Sequence, residues 1–244
     1  MDLGKKIILT FGLICLMCFY GFSKTIEAET EEHVHEFVDY ACECGLKQVA
    51  VVTAEDTEAI SYTSFVDAID AAESLGKVTI IMVNEDATGN HYEIDSCDIL
   101  LDLNGQRIYF KYFSLGVDTK LTITDNSNLD TGVLEGDGSV ASFSLNSNSI
   151  LIFEKGKFLI NAVYAHDSSM VLVNNGYFKG PQFSSCSKEN KIFINDGEFH
   201  NINLYEYIDT DNPEYQGFIE VKGGKFYESS VSPNFTSILA DAMR

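Results

Sequence analysis

The sequence lacks tryptophan altogether, has only two arginines, and carries far fewer basic than acidic side chains. Against 37 Asp and Glu residues stand 16 Lys and Arg residues, which gives a formal net charge of −21 at pH 7. Such a surface repels nucleic acid and anionic membranes, so we expect neither as a partner. The charge fits two alternatives, namely solubility outside the cell or the binding of cations such as calcium.

The N-terminus has the layout of a secretory signal peptide. Lys5 and Lys6 precede an apolar run over residues 7–22, after which the chain turns polar. The run is too short and too poorly flanked to predict a membrane span. We predict a signal peptide over residues 1–23, an acidic linker over 24–32, and a secreted or cell-surface protein that has no membrane contact after signal removal. Lipidation at Cys18 is disfavoured because such a site needs a small preceding residue.

Four copies of one short phrase occupy the second half of the chain. Each is an apolar strand followed by a glycine, one further residue and a phenylalanine. The glycines are Gly156, Gly176, Gly197 and Gly224, at intervals of 20, 21 and 27 residues. A period of this size is typical of a solenoid, in which each coil buries its apolar side only by stacking on its neighbours. We therefore expect parallel coils, with about seven strands on the main face between residues 78 and 227.

Alternation within each copy predicts which side chains point inward. An antiparallel meander is the competing interpretation, because glycine dipeptides also form hairpins. Too few apolar residues follow each glycine to form a full return strand, which favours coils. The predicted interior comprises stacked columns of like side chains, with the phenylalanines forming one column: Ile150, Ile152 and Phe158; Val171, Val173 and Phe178; Ile192, Ile194 and Phe199; Ile219, Val221 and Phe226.

One segment predicts a helix, over residues 64–75. Phe65, Ile69 and Ala72 follow the spacing of one helix face. Ser64 is placed to cap the helix N-terminus, and Gly76 to end it. The end of a stacked coil exposes unpaired backbone and apolar interior, so we interpret this helix as a cap.

These features together resemble the pectin-lyase-like right-handed parallel β-helix superfamily, and more closely its noncatalytic secreted or surface proteins from gut-type Gram-positive bacteria. The resemblance covers residues 61–241. It rests on the helix-then-strand segment 61–83, the phrases ILLDLNGQRI and KLTITDN, the repeated glycine–phenylalanine phrases, and the ending SPNFTSILAD. It implies an all-β fold, a right-handed parallel β-helix (solenoid) domain with an N-terminal capping α-helix.

A short His/Cys module with a connecting strand is predicted over residues 33–60. His33, His35, Cys42 and Cys44 supply two imidazoles and two thiolates, a ligand set suited to a closed structural zinc site. The segment resembles the His-and-Cys modules that precede such domains, although its C-x-C-G is one residue shorter than their usual C-x-x-C-G. The alternatives are a Cys42–Cys44 disulfide or unmodified thiols beside exposed histidines.

Catalytic signals are sparse. Lyases of the resembled fold hold calcium on clustered carboxylates and use an arginine or lysine as base, and its hydrolases use paired aspartates. The candidates here are Arg107, Asp196 and Glu198, and no Asp-Asp phrase lies on a strand. A loop with Asp125, Asp130, Glu135 and Asp137 lacks the spacing of an EF-hand, so we expect it to be solvated rather than to bind calcium. His91, His166 and His200 are expected to be isolated surface histidines.

Aromatic residues offer a further alternative. Tyr109, Phe110, Tyr112 and Phe113 alternate around Lys111, and two more tyrosines lie in residues 204–207. An exposed ladder of such rings would stack on sugars, but the absence of tryptophan favours a core or edge-covering role.

The sequence predicts an exported, noncatalytic interaction or adhesion module that contacts glycans or surface proteins along its coils. A polysaccharide lyase or glycosidase using Arg107 or a turn carboxylate is the first alternative. A structural spacer, or a fragment of a larger surface protein, is the second. The oligomeric state and the ligand are left open.

Overall fold

The computed structural model describes residues 37–136, 140–187, 189–207 and 217–231. The predicted signal peptide and acidic linker lie outside the described residues. So do His33 and His35 of the predicted zinc site, Asp137 of the acidic loop, and the C-terminal phrase at 232–241.

The described chain begins with short antiparallel strands. β1 (Phe37–Val38) pairs with β2 (Ala41–Cys42), and β3 (Ala50–Ala54) pairs with β4 (Ile60–Tyr62). β3 also pairs, again antiparallel, with β5 (Lys77–Met82). β3 and β4 therefore extend one edge of the sheet that continues from β5, whereas β1 and β2 form a separate two-stranded sheet.

The predicted helix is present as α1 (Phe65–Leu75). Its N-cap is Ser64, whose hydroxyl accepts a hydrogen bond of 3.1 Å from the Asp67 backbone N–H. It ends at Gly76, with φ of 81°, whose N–H donates to the Ala72 carbonyl. The buried side of α1 places the Phe65 ring 5.0 Å from that of Tyr92. The capping chemistry read from the sequence is thus confirmed, and the apolar side of α1 packs on the interior of the strands.

The remaining strands form three rows, called here the first, second and third faces. The first face continues from β5 with β7 (Asp98–Asp102), β9 (Lys120–Thr124), β12 (Ile150–Phe153), β15 (Met170–Val173), β18 (Lys191–Ile194) and β21 (Phe218–Val221). The second face contains the first half of β8 (Arg107–Leu115), then β10 (Val133–Gly136), β13 (Lys157–Leu159), β16 (Tyr177–Lys179), β19 (Glu198–His200) and β22 (Lys225–Tyr227). The third face contains β6 (Asp86–Ile94), the second half of β8, β11 (Ser142–Leu145), β14 (Ala162–Ala165), β17 (Gln182–Ser185), β20 (Asn203–Glu206) and β23 (Ser230–Val231).

The chain visits the three faces in turn. From β12 it passes to β13 and β14, and then returns to the first face as β15, which pairs parallel with β12. The glycine–phenylalanine strands β13 and β16 pair in the same direction. The prediction of parallel coils over an antiparallel meander is therefore confirmed, and the structure is a mostly-β fold with a curled parallel sheet.

The predicted interior is correct for three of the four repeat copies and wrong for the first. Val171, Val173 and their counterparts in the next two copies are buried. In the first copy Leu151 and Phe153 are buried instead, and Ile150 and Ile152 point outward. All four residues of this strand are apolar, so the sequence pattern does not show which two side chains point inward. The pairing of Leu151 with the buried Val171 decides it.

The phenylalanine column is confirmed. Phe158, Phe178, Phe199 and Phe226 are stacked, with successive ring centroids 4.7, 5.1 and 4.6 Å apart. The first three rings are fully buried, and Phe226 is only partly so. Gly176 lies against this column with φ of 129°, and a Cβ there would stand 2.8 Å from the Phe158 ring. Glycine is therefore needed at that corner both for its backbone conformation and for space.

Candidate ligand-binding face

The outer surface of the second face follows directly from the repeated phrase. Each phenylalanine points inward, so the residues on either side of it must point outward. The pairs flanking the four stacked phenylalanines, one from each of four adjacent parallel strands, are Lys157 and Leu159, Tyr177 and Lys179, Glu198 and His200, and Lys225 and Tyr227. Further along this surface come Val133 and Glu135 on β10, and then Arg107 and Tyr109 on β8.

An aromatic stack occupies one end of this surface. The His200 ring lies between Tyr177, at 5.0 Å between centroids, and Tyr227, at 4.6 Å and nearly parallel. His200 Nε2 lies 2.7 Å from Glu198 Oε1, which fixes the ring orientation. Tyr227 is 45% exposed. The expectation that His200 is isolated is wrong, because strand stacking brings it between two tyrosines distant in sequence.

A second cluster lies at the other end. Arg107 Nη1 donates to the Tyr109 hydroxyl at 3.0 Å and forms an ion pair at 3.1 Å with Glu135 Oε2, without hydrogen-bond geometry. The bond to Tyr109, aided by the charge of Glu135, raises the pKa of Arg107. The guanidinium therefore stays protonated, which suits it to holding an anion rather than to acting as a base.

The structure does not bring the predicted catalytic residues together. Arg107 and Glu198 occupy the same outward row but are separated by four strand spacings, or about 19 Å. Asp196 lies in the turn before β19, where its Oδ1 accepts the Gly197 N–H at 2.8 Å. Arg107 and Glu198 therefore cannot act on one bond while they hold these positions.

The acidic loop predicted to be solvated has its carboxylates held by separate partners. Asp125 is fully buried and accepts backbone N–H groups, which contradicts the expectation for that residue. Asp130 pairs with Lys155, and Glu135 pairs with Arg107. Among the described residues no group of three or more His, Cys, Asp or Glu side chains could hold a metal ion.

The described half of the predicted zinc site lies after β2. Cys42 is buried at the strand end, and Cys44 is exposed in the following turn. A hydrogen bond from the Leu46 backbone, with a further one from Cys42, lowers the pKa of Cys44. The two sulfur side chains are therefore close, and zinc binding here remains a prediction.

These environments predict unequal cysteine reactivity. Burial, aided by neighbouring acidic charges, raises the pKa of Cys97 to about 11, so that its thiol stays protonated near neutral pH. At about pH 8 we expect iodoacetamide to modify Cys44 first and Cys97 only after unfolding, as site-resolved mass spectrometry would measure. Protection of Cys44 that a chelator removes would point to bound metal. Rapid labelling of Cys97 in the folded protein would contradict the burial.

The aromatic string at β8 is divided between inside and outside. Phe110 and Phe113 are buried, as expected for core residues, whereas Tyr109 and Tyr112 are only partly buried. The sequence analysis did not identify Tyr177 and Tyr227 as outward residues of one surface. The repeat pattern could have shown it, because both tyrosines flank a repeated phenylalanine.

Searches of family models, curated proteins and solved structures found no match to this chain. In the part of the chain that the structure describes, no helix is long and apolar enough to cross a membrane.

Proposed function

We propose that this protein is an exported, noncatalytic right-handed β-helix that binds acidic glycans through the outer surface of the second face. Right-handed winding is supported by the strong preference of parallel strand crossovers for that hand. Export is supported by the basic and apolar N-terminus. The observation that carries the binding proposal is the outward stack of Tyr177, His200 and Tyr227.

The chemistry of the stack suits sugar rings. Aromatic faces offer broad, rigid apolar contact, and the partly exposed edge of Tyr227 leaves room for a ring to lie against it. Lys179 and Lys225 pair in register with His200 and Glu198, so they stand next to the stack. Lys157 lies further along the same surface, between this stack and Arg107. On a chain with net charge −21, this concentration of cations favours a carboxylated or sulfated glycan over a neutral one.

The enzyme alternative has less support. A lyase needs an unprotonated base beside its cation or metal site, whereas the pKa of Arg107 is raised and the Glu198 carboxylate lies about 19 Å away. Product formation from an acidic polysaccharide, lost in Arg107→Ala or in an Asp196→Asn, Glu198→Gln double variant, would replace the binding proposal with the enzyme.

The test is calorimetric titration with polygalacturonate and with a neutral galactan. We expect polygalacturonate to bind and Tyr227→Ala to weaken binding about tenfold, because loss of one stacking ring costs roughly 1 kcal/mol or more. The double variant Lys179→Gln, Lys225→Gln should weaken the binding of polygalacturonate and reduce the salt dependence of that binding.

Tyr205→Ala is the matched control, since Tyr205 is 41% exposed on the third face. It should bind like the unchanged protein. Equal binding by all of these variants, or equal binding of the neutral and acidic polymers, would contradict the proposal.

A further inference from the structure

The outer side of the first face carries an apolar surface that the coil does not require. The side chains involved are half-buried, apart from Phe218, which is 40% exposed. We call them the apolar stripe, and they lie on four adjacent parallel strands: Ile150, Ile152, Met170, Leu172, Phe193 and Phe218.

The third face gives the comparison within the same coils. Its outward positions on the corresponding turns are small or polar apart from two tyrosines, Tyr164 and Tyr205: Ser142, Ser144, Ala162, Gln182, Ser184 and Asn203. Of the two faces, only the first carries large apolar outward side chains on every one of these adjacent strands. Parallel strands that are apolar on both sides are typical of sheets covered on both faces, so a covering partner is the physical explanation.

Cations bracket the stripe. At one end an open pocket of about 370 Å³ is lined by two lysines, Lys77 and Lys120, and by two carboxylates, Glu55 and Asp98, among others. Lys120 Nζ pairs with Asp98 at 3.2 Å, whereas Lys77 has no acidic partner among the described residues.

At the other end of the stripe, Lys191 begins β18 and Lys222 follows β21. The Lys222 ammonium lies 5.3 Å from the centre of the Phe193 ring, directly over the stripe. Lys222 also forms an ion pair at 3.7 Å with Glu220 of β21, which pairs in register with Phe193. One lysine toward each end, Lys77 and Lys191, therefore has no acidic partner within the described residues, on a chain that is strongly acidic overall.

The size and charge of this surface argue against a second copy as the occupant. From the row of Lys77 to that of Phe218 is six strand spacings, or about 29 Å, and two outward columns make it roughly 12 Å wide. That footprint is well below the ~800 Å² per partner of a stable dimer. A symmetric pair would also set the same lysines against each other.

We propose that the first face docks an acidic amphipathic helix of another protein. The strands' backbone groups are already used in their ladders, so an added strand cannot pair there and side chains must make the contact. A helix of about 20 residues spans 29 Å and presents apolar side chains at i, i+3 and i+4 to the stripe. Its carboxylates meet Lys77 at one end and Lys191 toward the other, the two lysines of this face that have no acidic partner in the described part of the chain.

The probe is a labelled 20-residue helical peptide with leucine on one face and glutamate elsewhere, titrated against the full chain by fluorescence anisotropy. The comparison peptides replace every glutamate by lysine, or scramble the acidic sequence. We expect binding of the acidic amphipathic peptide only. Leu172→Thr with Phe193→Thr should weaken it about tenfold or more, and Lys77→Gln with Lys120→Gln should weaken it and reduce its salt sensitivity.

Threonine retains strand propensity, and thermal unfolding would verify that the variants fold. Tyr164→Thr on the third face is the control and should bind normally. Failure of the acidic peptide to bind, binding of the basic peptide equally well, or indifference to the stripe variants would each overturn the proposal. A concentration-dependent dimer that Leu172→Thr abolishes, measured by sedimentation, would assign the stripe to a second copy instead. The glycan proposal concerns the second face and is unaffected by any of these results.

Discussion

Replacing Asp125 by alanine should lower the free energy of unfolding by about 3–5 kcal/mol, because three backbone donors, one buried and two partly buried, would lose a charged acceptor. Asp125 Oδ1 accepts the N–H groups of Gly105 at 2.8 Å and Ser127 at 3.1 Å, and Oδ2 accepts that of Gly132 at 2.7 Å. The carboxylate thereby ties the loop after β7 to the loop after β9. Urea unfolding of the variant and the unchanged protein would measure the difference.

Asp130→Asn is the matched control from the same loop. Asp130 is exposed, and its ion pair with Lys155 lies in solvent, so the change should cost less than about 1 kcal/mol. Asparagine also tolerates the positive φ of 51° at that position. Equal losses from the Asp125 and Asp130 variants would contradict the assigned role of Asp125.

Asp125 should also make the protein sensitive to acid. Burial alone raises the pKa of Asp125, but the hydrogen bonds from Ser127, Gly132 and Gly105 outweigh it and lower the pKa below the usual 3.8. The unfolded state then binds the proton more tightly than the folded state does, so this contribution to stability is present above the unfolded-state pKa. It is lost as the pH falls through the lowered folded-state pKa. In the Asp125→Ala variant, this part of the pH dependence of the free energy of unfolding, which lies below about pH 4, should be absent.

Replacing Phe178 by alanine should have a comparable effect, a loss of about 3–5 kcal/mol. Its fully buried ring stacks on Phe158 at 4.7 Å and on Phe199 at 5.1 Å, and it meets Phe153 edge-on at 5.3 Å. The change would leave a cavity in the middle of the column, which the neighbouring coils cannot close without breaking their own pairing. Denaturant unfolding followed by far-UV circular dichroism would measure the loss.

Phe193→Ala is the informative comparison, because this phenylalanine points outward from the same set of coils. It should cost less than about half as much, since its ring is only partly removed from solvent. A larger loss from the Phe193 change than from the Phe178 change would mean that the inside and outside of the coil have been exchanged.

The repeat period and the invariant order glycine, residue, phenylalanine were enough to predict parallel stacking and the phenylalanine column. The helix was also predictable, because the capping hydrogen bonds of Ser64 and Gly76 join residues that are close in sequence. The interior of β12 was not predictable from its own residues. Only its pairing with β15 distinguishes Leu151 from Ile150.

The candidate sites were harder to predict because they are made by stacking. Tyr177, His200 and Tyr227 are separated by more than twenty residues at each step, yet they lie on adjacent strands. The prediction that His200 is isolated was wrong for this reason. The sequence predicts a solvated Asp125, whereas the structure pairs it with Gly105, a residue of the preceding turn that local sequence does not connect to it.

Both proposed surfaces depend on the order in which the coils stack. Nuclear Overhauser contacts among selectively labelled phenylalanine rings would test that order most directly. We expect contacts between Phe158 and Phe178, between Phe178 and Phe199, and between Phe199 and Phe226, with none between Phe158 and Phe199. A direct contact between Phe158 and Phe199, or the absence of any contact with Phe178, would contradict the stacking and with it the placement of both surfaces.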